Sequence, residues 1–245
     1  MSIFGTSPRT DPSPSKYTET TYTFLRRAAG PVWDQVRALI DDWMLNYPAR
    51  DRASIEGRLR SGNDEHFISA FWELYLHEMY RRAGWAIEVE PDVPDARTGP
   101  DFLVSQDGMA YYVEARCTFE RQASSGAGAR LQTIYDAVNE IDSGAFFLSV
   151  TAVRIGTQSP STRQLRVDLE CWLRGLDPDE ITLSLSDNDP NRFDWQADDW
   201  QLVFHPVARS PATRGEPAGR PLGVFLPSEA SFIDDVGSLR AALED

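Results

Sequence analysis

Lysine is almost missing from this chain: Lys16 stands alone beside 23 arginines, against 38 aspartates and glutamates. The net charge of −14 argues against a generic nucleic-acid binder, because phosphate contact needs a cationic surface. The charge is uneven, however, since residues 176–200 carry eight acids and one arginine, which leaves −7 in that segment alone. Locally basic surface elsewhere in the chain therefore remains compatible with the composition.

Long apolar runs and paired cysteines are also missing. No apolar run approaches the roughly 20 residues of a membrane span, and the first residues lack the apolar region of a signal peptide. Cys117 and Cys171 form neither a CxxC pair nor a metal-type spacing, which predicts buried, reduced thiols. These absences predict a cytoplasmic protein that has no membrane contact.

The order of predicted elements indicates an α/β protein. Residues 1–21 have the Ser-, Thr- and Pro-rich composition of a disordered tail, and residues 22–62 have the apolar spacing of N-terminal helices. Residues 63–154 predict a core built from a helix, three strands, a helix and a fourth strand. Residues 155–245 predict an α+β extension that packs on this core.

The segment GPDFLVSQDGMAYYVEARC, residues 99–117, contains two apolar strands with charges at their ends. Asp107–Gly108 predicts a tight hairpin, and side-chain alternation places Glu114 and Arg116 on one face. The hairpin brings Asp101 and Glu114 to the same end of neighbouring strands. Two carboxylates in such a position repel each other unless a cation joins them, and oxygen ligands favour Mg²⁺ or a similar hard ion.

Glu73 adds a third carboxylate within the apolar stretch FWELYL. A charge in that setting is costly unless it is paired or bound to a metal. The alternative is a buried acid that accepts a hydrogen bond from a tyrosine or histidine, and His77 lies one helical turn further on. For Asp101 and Glu114 the alternative is a solvated sheet face on which Arg116 forms a surface ion pair with neighbours of Glu114, and such a pair contributes about 0–1 kcal/mol.

Pro100–Asp101, the next twelve residues and the tripeptide Glu114-Ala115-Arg116 resemble the signature of the PD-(D/E)XK nucleases. The predicted element order over about residues 63–153 is similar to the core of that superfamily. The resemblance implies a restriction-endonuclease-like αβββαβ core with a mixed sheet. It also implies hydrolysis of DNA phosphodiester bonds with Mg²⁺ or Mn²⁺, in restriction, defence or repair. Its site would use Asp101 and Glu114 as metal ligands, the carbonyl of Ala115, and Glu73 as an outer or direct ligand.

Arg116 stands where that superfamily usually has lysine. Arginine stays protonated and cannot act as a general base, but it can orient a nucleophile and stabilise charge on the phosphate. Lys16 is an unsuitable replacement because it lies in the predicted tail.

Two main hypotheses therefore remain open. The first is a Mg²⁺-dependent DNA endonuclease in which Arg116 acts electrostatically. The second is a catalytically inactive nuclease-fold protein that serves in binding or assembly, as a homodimer or with a partner protein. A third, narrower hypothesis places the acidic residues 176–200 in the DNA groove as an autoinhibitor.

Overall fold

The computed structural model describes residues 2–93, 99–117, 126–182, 184, 188–214 and 220–223. The chain divides into two compact units, Met1–Phe119 with Asp235–Asp245, and Glu120–Asp234. The elements of the first unit are α1 Thr21–Arg27, α2 Pro31–Asn46, α3 Arg52–Leu59, α4 Asp64–Arg82, β1 Ala86–Val89, β2 Phe102–Gln106 and β3 Met109–Val113. Those of the second are α5 Gly126–Asn139, β4 Phe146–Arg154, α6 Thr162–Arg174, β5 Phe193–Ala197, β6 Trp200–Ala208 and a 3₁₀ turn at Pro211–Thr213. The chain is therefore a mixed α/β protein, as the sequence predicts.

Helix α4 is the element on which the first unit is assembled, since α1, α2, α3 and β1 all contact it. The side chain of Asn63 accepts hydrogen bonds from the backbone N–H groups of Glu65 at 2.8 Å and His66 at 3.2 Å. These bonds satisfy donors that the start of a helix leaves open. Gly84 follows the helix with a φ of 83°, a conformation that glycine adopts without strain. Asn63 thus caps the start of this helix, and Gly84 follows its end.

The first unit contains an antiparallel sheet in the order β1-β2-β3. Asp107 and Gly108 join β2 to β3 with φ values of 50° and 82°, the positive pair that a tight two-residue hairpin turn requires. The predicted hairpin is therefore confirmed, and its ladder ends with Phe102 opposite Val113. Phe102 and Val104 are fully buried in the same apolar core as α4. The helix and the sheet thus hold each other in place near the charged end of the hairpin.

The second unit has its own antiparallel sheet, in the order β4-β6-β5. Strand β6 is central, and its residues Trp200, Leu202 and Phe204 are fully buried. They pack in one apolar cluster with residues of α5 and α6. Parts of the predicted extension, residues 155–245, lie outside the described residues.

The fourth strand of the predicted nuclease-like core lies in a different sheet from the other three. Strand β4 pairs with β6 from Phe146 opposite Ala208 to Arg154 opposite Gln201, and the two units divide within the predicted core, residues 63–154. In the described part of the chain both sheets have antiparallel ladders, apart from one isolated parallel bridge between Leu148 of β4 and Leu222, so a single mixed, restriction-endonuclease-like sheet is not confirmed. The element order is as predicted, but the apolar pattern of a buried strand does not specify its neighbour.

The start of the chain is more ordered than its composition predicts. Ile3 and Phe4 are buried in the core of the first unit. The N–H of Ile3 donates to Asp41 at 2.7 Å, and its carbonyl accepts from Nε of Arg60 at 3.0 Å. Burying these two large apolar side chains contributes a few kcal/mol, which holds the segment on the core although the residues around them are mostly polar. Residues 1–21 are therefore not a disordered tail throughout.

The cysteine prediction is wrong in part. Both thiols are free, but Cys117 is half-buried and Cys171 is exposed. Cys171 lies on α6, whose buried positions are Leu165, Leu169 and Leu173, and 171 falls outside that stripe. Among the residues that the structure describes, no helix combines the length and the apolar character needed to cross a membrane.

Candidate active site

Asp101 and Glu114 stand at the same end of the β2–β3 hairpin. The ladder ends with Phe102 opposite Val113, so Asp101 and Glu114 occupy the next pair of positions. The Oδ2 atom of Asp101 accepts a hydrogen bond from the backbone N–H of Ala115 at 2.6 Å. This bond ties the two chain segments together beyond the last ladder pair. The hairpin turn thus sets the register that brings the two acidic residues side by side.

The two carboxylates repel each other. Partial burial raises the pKa of Glu114, and the negative charge of Asp101 raises it further. The Arg116 guanidinium opposes this shift, while the charge of Glu73 adds to it. Burial is the largest cause of this shift, and a bound cation would offset the smaller part that comes from the charge of Asp101.

Glu73 is buried in α4, with 4% of its surface exposed, and both of its oxygens are engaged. The Tyr47 hydroxyl, which follows α2, donates to Oε1 at 2.6 Å. The Arg58 guanidinium, from α3, donates to Oε2 and forms an ion pair there. Three helical segments thus meet at one carboxylate. The interpretation of Glu73 as a buried acid satisfied by a tyrosine is supported by this contact.

The charge environment nevertheless connects Glu73 to the hairpin. Burial raises the pKa of Glu73, while the hydrogen bonds from Tyr47 and Arg58 oppose that change. The negative charge of Asp101 raises the same pKa. Glu73, Asp101 and Glu114 therefore share one electrostatic environment, although they come from α4 and from the two strands of the hairpin.

His77 is not the partner of Glu73. Its ring lies against the ring of Tyr47, with 4.8 Å between the centroids, and near Phe102 at 6.3 Å. Its Nδ1 atom is buried and has no hydrogen-bond partner among the described residues. Burial lowers the pKa of His77, so the neutral ring is favoured in this aromatic setting.

Arg116 forms an ion pair with Glu114, with 3.1 Å between Nε and Oε1. The side chains are 55% and 40% exposed, and a pair of that kind contributes only about 0–1 kcal/mol. Arg116 is thus weakly held and remains accessible from solvent. An anionic group that approaches the hairpin end can compete with Glu114 for its guanidinium.

The residues fit a weakly chelated hard cation better than a dedicated metal cage. The described residues contain no group of three or more His, Cys, Asp and Glu side chains placed to share a metal ion. Mg²⁺ is commonly bound through one or two carboxylates, with water completing its shell. Asp101 and Glu114 supply two carboxylates whose mutual repulsion such an ion would offset.

Tyr47 and Arg58 are the residues of this region that the sequence pattern does not reveal. They lie 26 and 15 residues from Glu73 in the chain, and neither belongs to a recognisable motif with it. A buried acid in an apolar helix does signal that partners exist, but not which ones. Comparison of the chain with protein-family models, with curated proteins and with solved structures finds no match. The residues and their geometry therefore carry what can be inferred about function.

Proposed function

We propose that this protein is a metal-dependent nuclease that hydrolyses DNA phosphodiester bonds. The observation that supports it is the pair Asp101 and Glu114, fixed side by side at the end of a hairpin and mutually repelling. A divalent cation can bind between two carboxylates that repel each other at the ends of neighbouring strands. The PD and EAR residues around them resemble the signature of one nuclease superfamily, with arginine in place of its lysine.

In this proposal Asp101 and Glu114 would hold Mg²⁺ or Mn²⁺, and the carbonyl of Ala115 remains a predicted ligand. A bound ion of this kind polarises a phosphoryl oxygen and lowers the pKa of a bound water. Arg116, which is exposed and weakly paired, binds a phosphate oxygen and stabilises its negative charge. Glu73 stays bound to Tyr47 and Arg58 and acts on the site through its charge rather than as a direct ligand.

A restriction-endonuclease-like core is supported by the element order α4, β1, β2, β3, α5, β4 and by the hairpin that carries the acidic pair. A role in restriction, defence or repair follows from the resemblance alone. The autoinhibitory role of residues 176–200 stays a hypothesis, which DNA affinity at low salt tests after deletion of that segment.

The test is nicking of supercoiled DNA with Mg²⁺ or Mn²⁺ by the wild type and by Asp101→Asn. Removing one ligand of the pair is expected to lower the rate by more than about 100-fold, since even outer-shell changes cost 10–100-fold. Asp107→Asn is the matched control, because it makes the same chemical change in the turn of the same hairpin. Equal nicking by Asp101→Asn and the wild type would sink the assignment.

A second function, a non-catalytic binding or assembly module, is favoured by a separate observation. Each acidic residue of the site already has an internal partner: Ala115 N–H for Asp101, Arg116 for Glu114, and Tyr47 with Arg58 for Glu73. Calorimetric titration with Mg²⁺ separates the two functions. Heat of binding at about millimolar metal that disappears in Asp101→Asn supports the nuclease, whereas no binding at that concentration supports the module.

A further inference from the structure

Strand β3 lies at the edge of its sheet but has the composition of a central strand. The central strands β2 and β6 contain no Asp, Glu, Lys or Arg. Two other described edge strands each carry a charge, Glu88 in β1 and Asp194 in β5, whereas the outer side of β4 is partly covered by residues 221–223, which bond to Leu148. Strand β3, with the sequence MAYYV, carries none. Charges on edge strands are a common device against unwanted pairing, and β3 lacks it.

The exposure of β3 agrees with a missing neighbour. Met109, Tyr111 and Tyr112 are 61%, 44% and 55% exposed. These side chains lie on both faces of the strand, since Tyr111 and Tyr112 are successive residues. Within the described part of the chain, β3 forms a ladder with β2 alone. Its other edge therefore offers backbone N–H and C=O groups for one more strand.

We propose that β3 pairs antiparallel with β3 of a second copy of this chain, which joins two three-stranded sheets into one of six strands. The register that pairs all five residues has Tyr111 on the twofold axis. Met109 then faces Val113 of the other copy, and Ala110 faces Tyr112. Each large side chain outside the axis thus meets a smaller apolar one, and no like charges meet in the ladder.

A second copy is the occupant that the self-complementary register of this uncharged strand favours. Each copy carries a net charge of −14, so two copies repel each other wherever acidic surfaces approach. The run from Gly108 to Val113 is uncharged and allows close approach along one edge. Antiparallel pairing of identical strands also closes with twofold symmetry, the commonest symmetry of soluble homo-oligomers. An interface built on five-residue strands is small, so the association depends on concentration.

The pairing has a consequence that rests on the proposed function. With Tyr111 on the axis, the two Glu114 residues lie six positions apart along the paired strands. At about 3.4 Å per residue this separates them by about 20 Å. The twofold axis runs perpendicular to the sheet, so both acidic pairs lie on the same face. A dimer of this form presents two sites to one nucleic-acid duplex, one for each strand.

The test is sedimentation equilibrium over a series of protein concentrations, under reducing conditions because Cys171 is exposed. The wild-type mass is expected to rise from 27.5 kDa towards twice that value. Tyr112→Lys is expected to weaken association at least about tenfold, because lysine on an edge strand blocks pairing. The matched control is Val167→Lys, which adds the same charge at a site on α6 that is 51% exposed.

A second variant, Met109→Lys, keeps the test decisive if Tyr112→Lys fails to fold by circular dichroism. Met109 is more exposed than Tyr112, and the Met109→Lys variant is expected to show the same loss of association. A wild type that stays monomeric, a folded β3 variant that associates like the wild type, or equal loss in Val167→Lys would overturn the proposal. The mass measurement needs no nuclease activity, so its outcome is distinct from that of the nicking assay.

Discussion

Two buried glutamates on α4, Glu73 and Glu78, are held in contrasting ways. Both are almost fully buried, with 4% and 2% of their surfaces exposed. Arg81 and Arg82 bind Glu78 at 2.7 Å and 2.6 Å, and the hydrogen bond from Arg81 is the main reason its pKa falls to about 2. Burial raises the pKa of Glu73, in spite of its bonds to Tyr47 and Arg58.

The difference lies in where the partners come from and what else is near. Glu78 forms ion pairs with arginines of the next turn of its own helix, at i+3 and i+4, and accepts one longer bond, at 3.3 Å, from Asn46 of α2. The partners of Glu73, which are Tyr47 and Arg58, come from other parts of the chain, and the negative charge of Asp101 also raises the pKa of Glu73. Glu78 therefore stabilises a helix end, whereas Glu73 is kept in a costly position beside other carboxylates. Perturbed carboxyls of the second kind are enriched at functional sites.

Among the variants that test this difference, Glu73→Ala should lower the free energy of unfolding the most. It leaves the buried Tyr47 hydroxyl and the Arg58 guanidinium without their acceptor, and it should cost about 3 kcal/mol, the low end for a broken buried pair, because Arg58 is 34% exposed. Glu78→Ala should cost about 1 kcal/mol, because Arg81 and Arg82 are 45% and 61% exposed and return to water. Urea unfolding of both variants measures the free energies of unfolding. Equal losses in the two would show that the environments do not differ.

A smaller effect is expected from Tyr47→Phe. The change keeps the ring beside His77 but removes the hydroxyl that donates to Glu73, so one buried carboxylate oxygen loses a donor. The expected cost is about 1–2 kcal/mol in the free energy of unfolding. Tyr75→Phe is the control, since Tyr75 is 39% exposed, and it should change the value by less than about 0.5 kcal/mol. If the two variants have the same free energy of unfolding, the hydroxyl of Tyr47 does not stabilise Glu73.

The smallest effect concerns pH, and it has opposite signs at the two glutamates. The folded pKa of Glu78, about 2, lies below its ordinary value of 4.5, so its stabilisation is present above pH 4.5 and is lost as pH falls towards 2. The folded pKa of Glu73 lies above 4.5, so ionisation destabilises the fold as pH rises through that pKa. Glu78→Gln should flatten the acid side of the stability profile by about 1 kcal/mol, because exposed arginines screen the pair.

Glu73→Gln should instead flatten the decline of stability with rising pH above 4.5. Unfolding measured at successive pH values between about 3 and 8 separates the two. The same sign of change in both variants would contradict the contrast between the two glutamates.

Local chemistry predicts much of the hairpin and little of what surrounds it. The Asp107–Gly108 turn, the cap at Asn63 and the stop at Gly84 follow from single residues whose conformational preferences dominate. The partners of Glu73 cannot be predicted in this way, because a helix pattern shows that a position is buried but not which distant side chain contacts it. The sheet that β4 joins is undetermined for the same reason. Asp101 and Glu114 lie within the predictable part because the turn that joins their strands is short.

The Asp107–Gly108 turn is also a chemically labile link in the backbone that carries the candidate site. In an Asp–Gly sequence the backbone nitrogen of glycine, which no neighbouring side chain shields, can attack the aspartate carboxyl carbon, expel water and close a five-membered imide ring. Reopening of the ring leaves an isoaspartate, which lengthens the backbone by one methylene at Asp107. The register that sets Asp101 beside Glu114 starts at this turn. Chemical ageing of Asp107 would therefore disturb the candidate site from the far end of the hairpin, without altering any of its acidic residues.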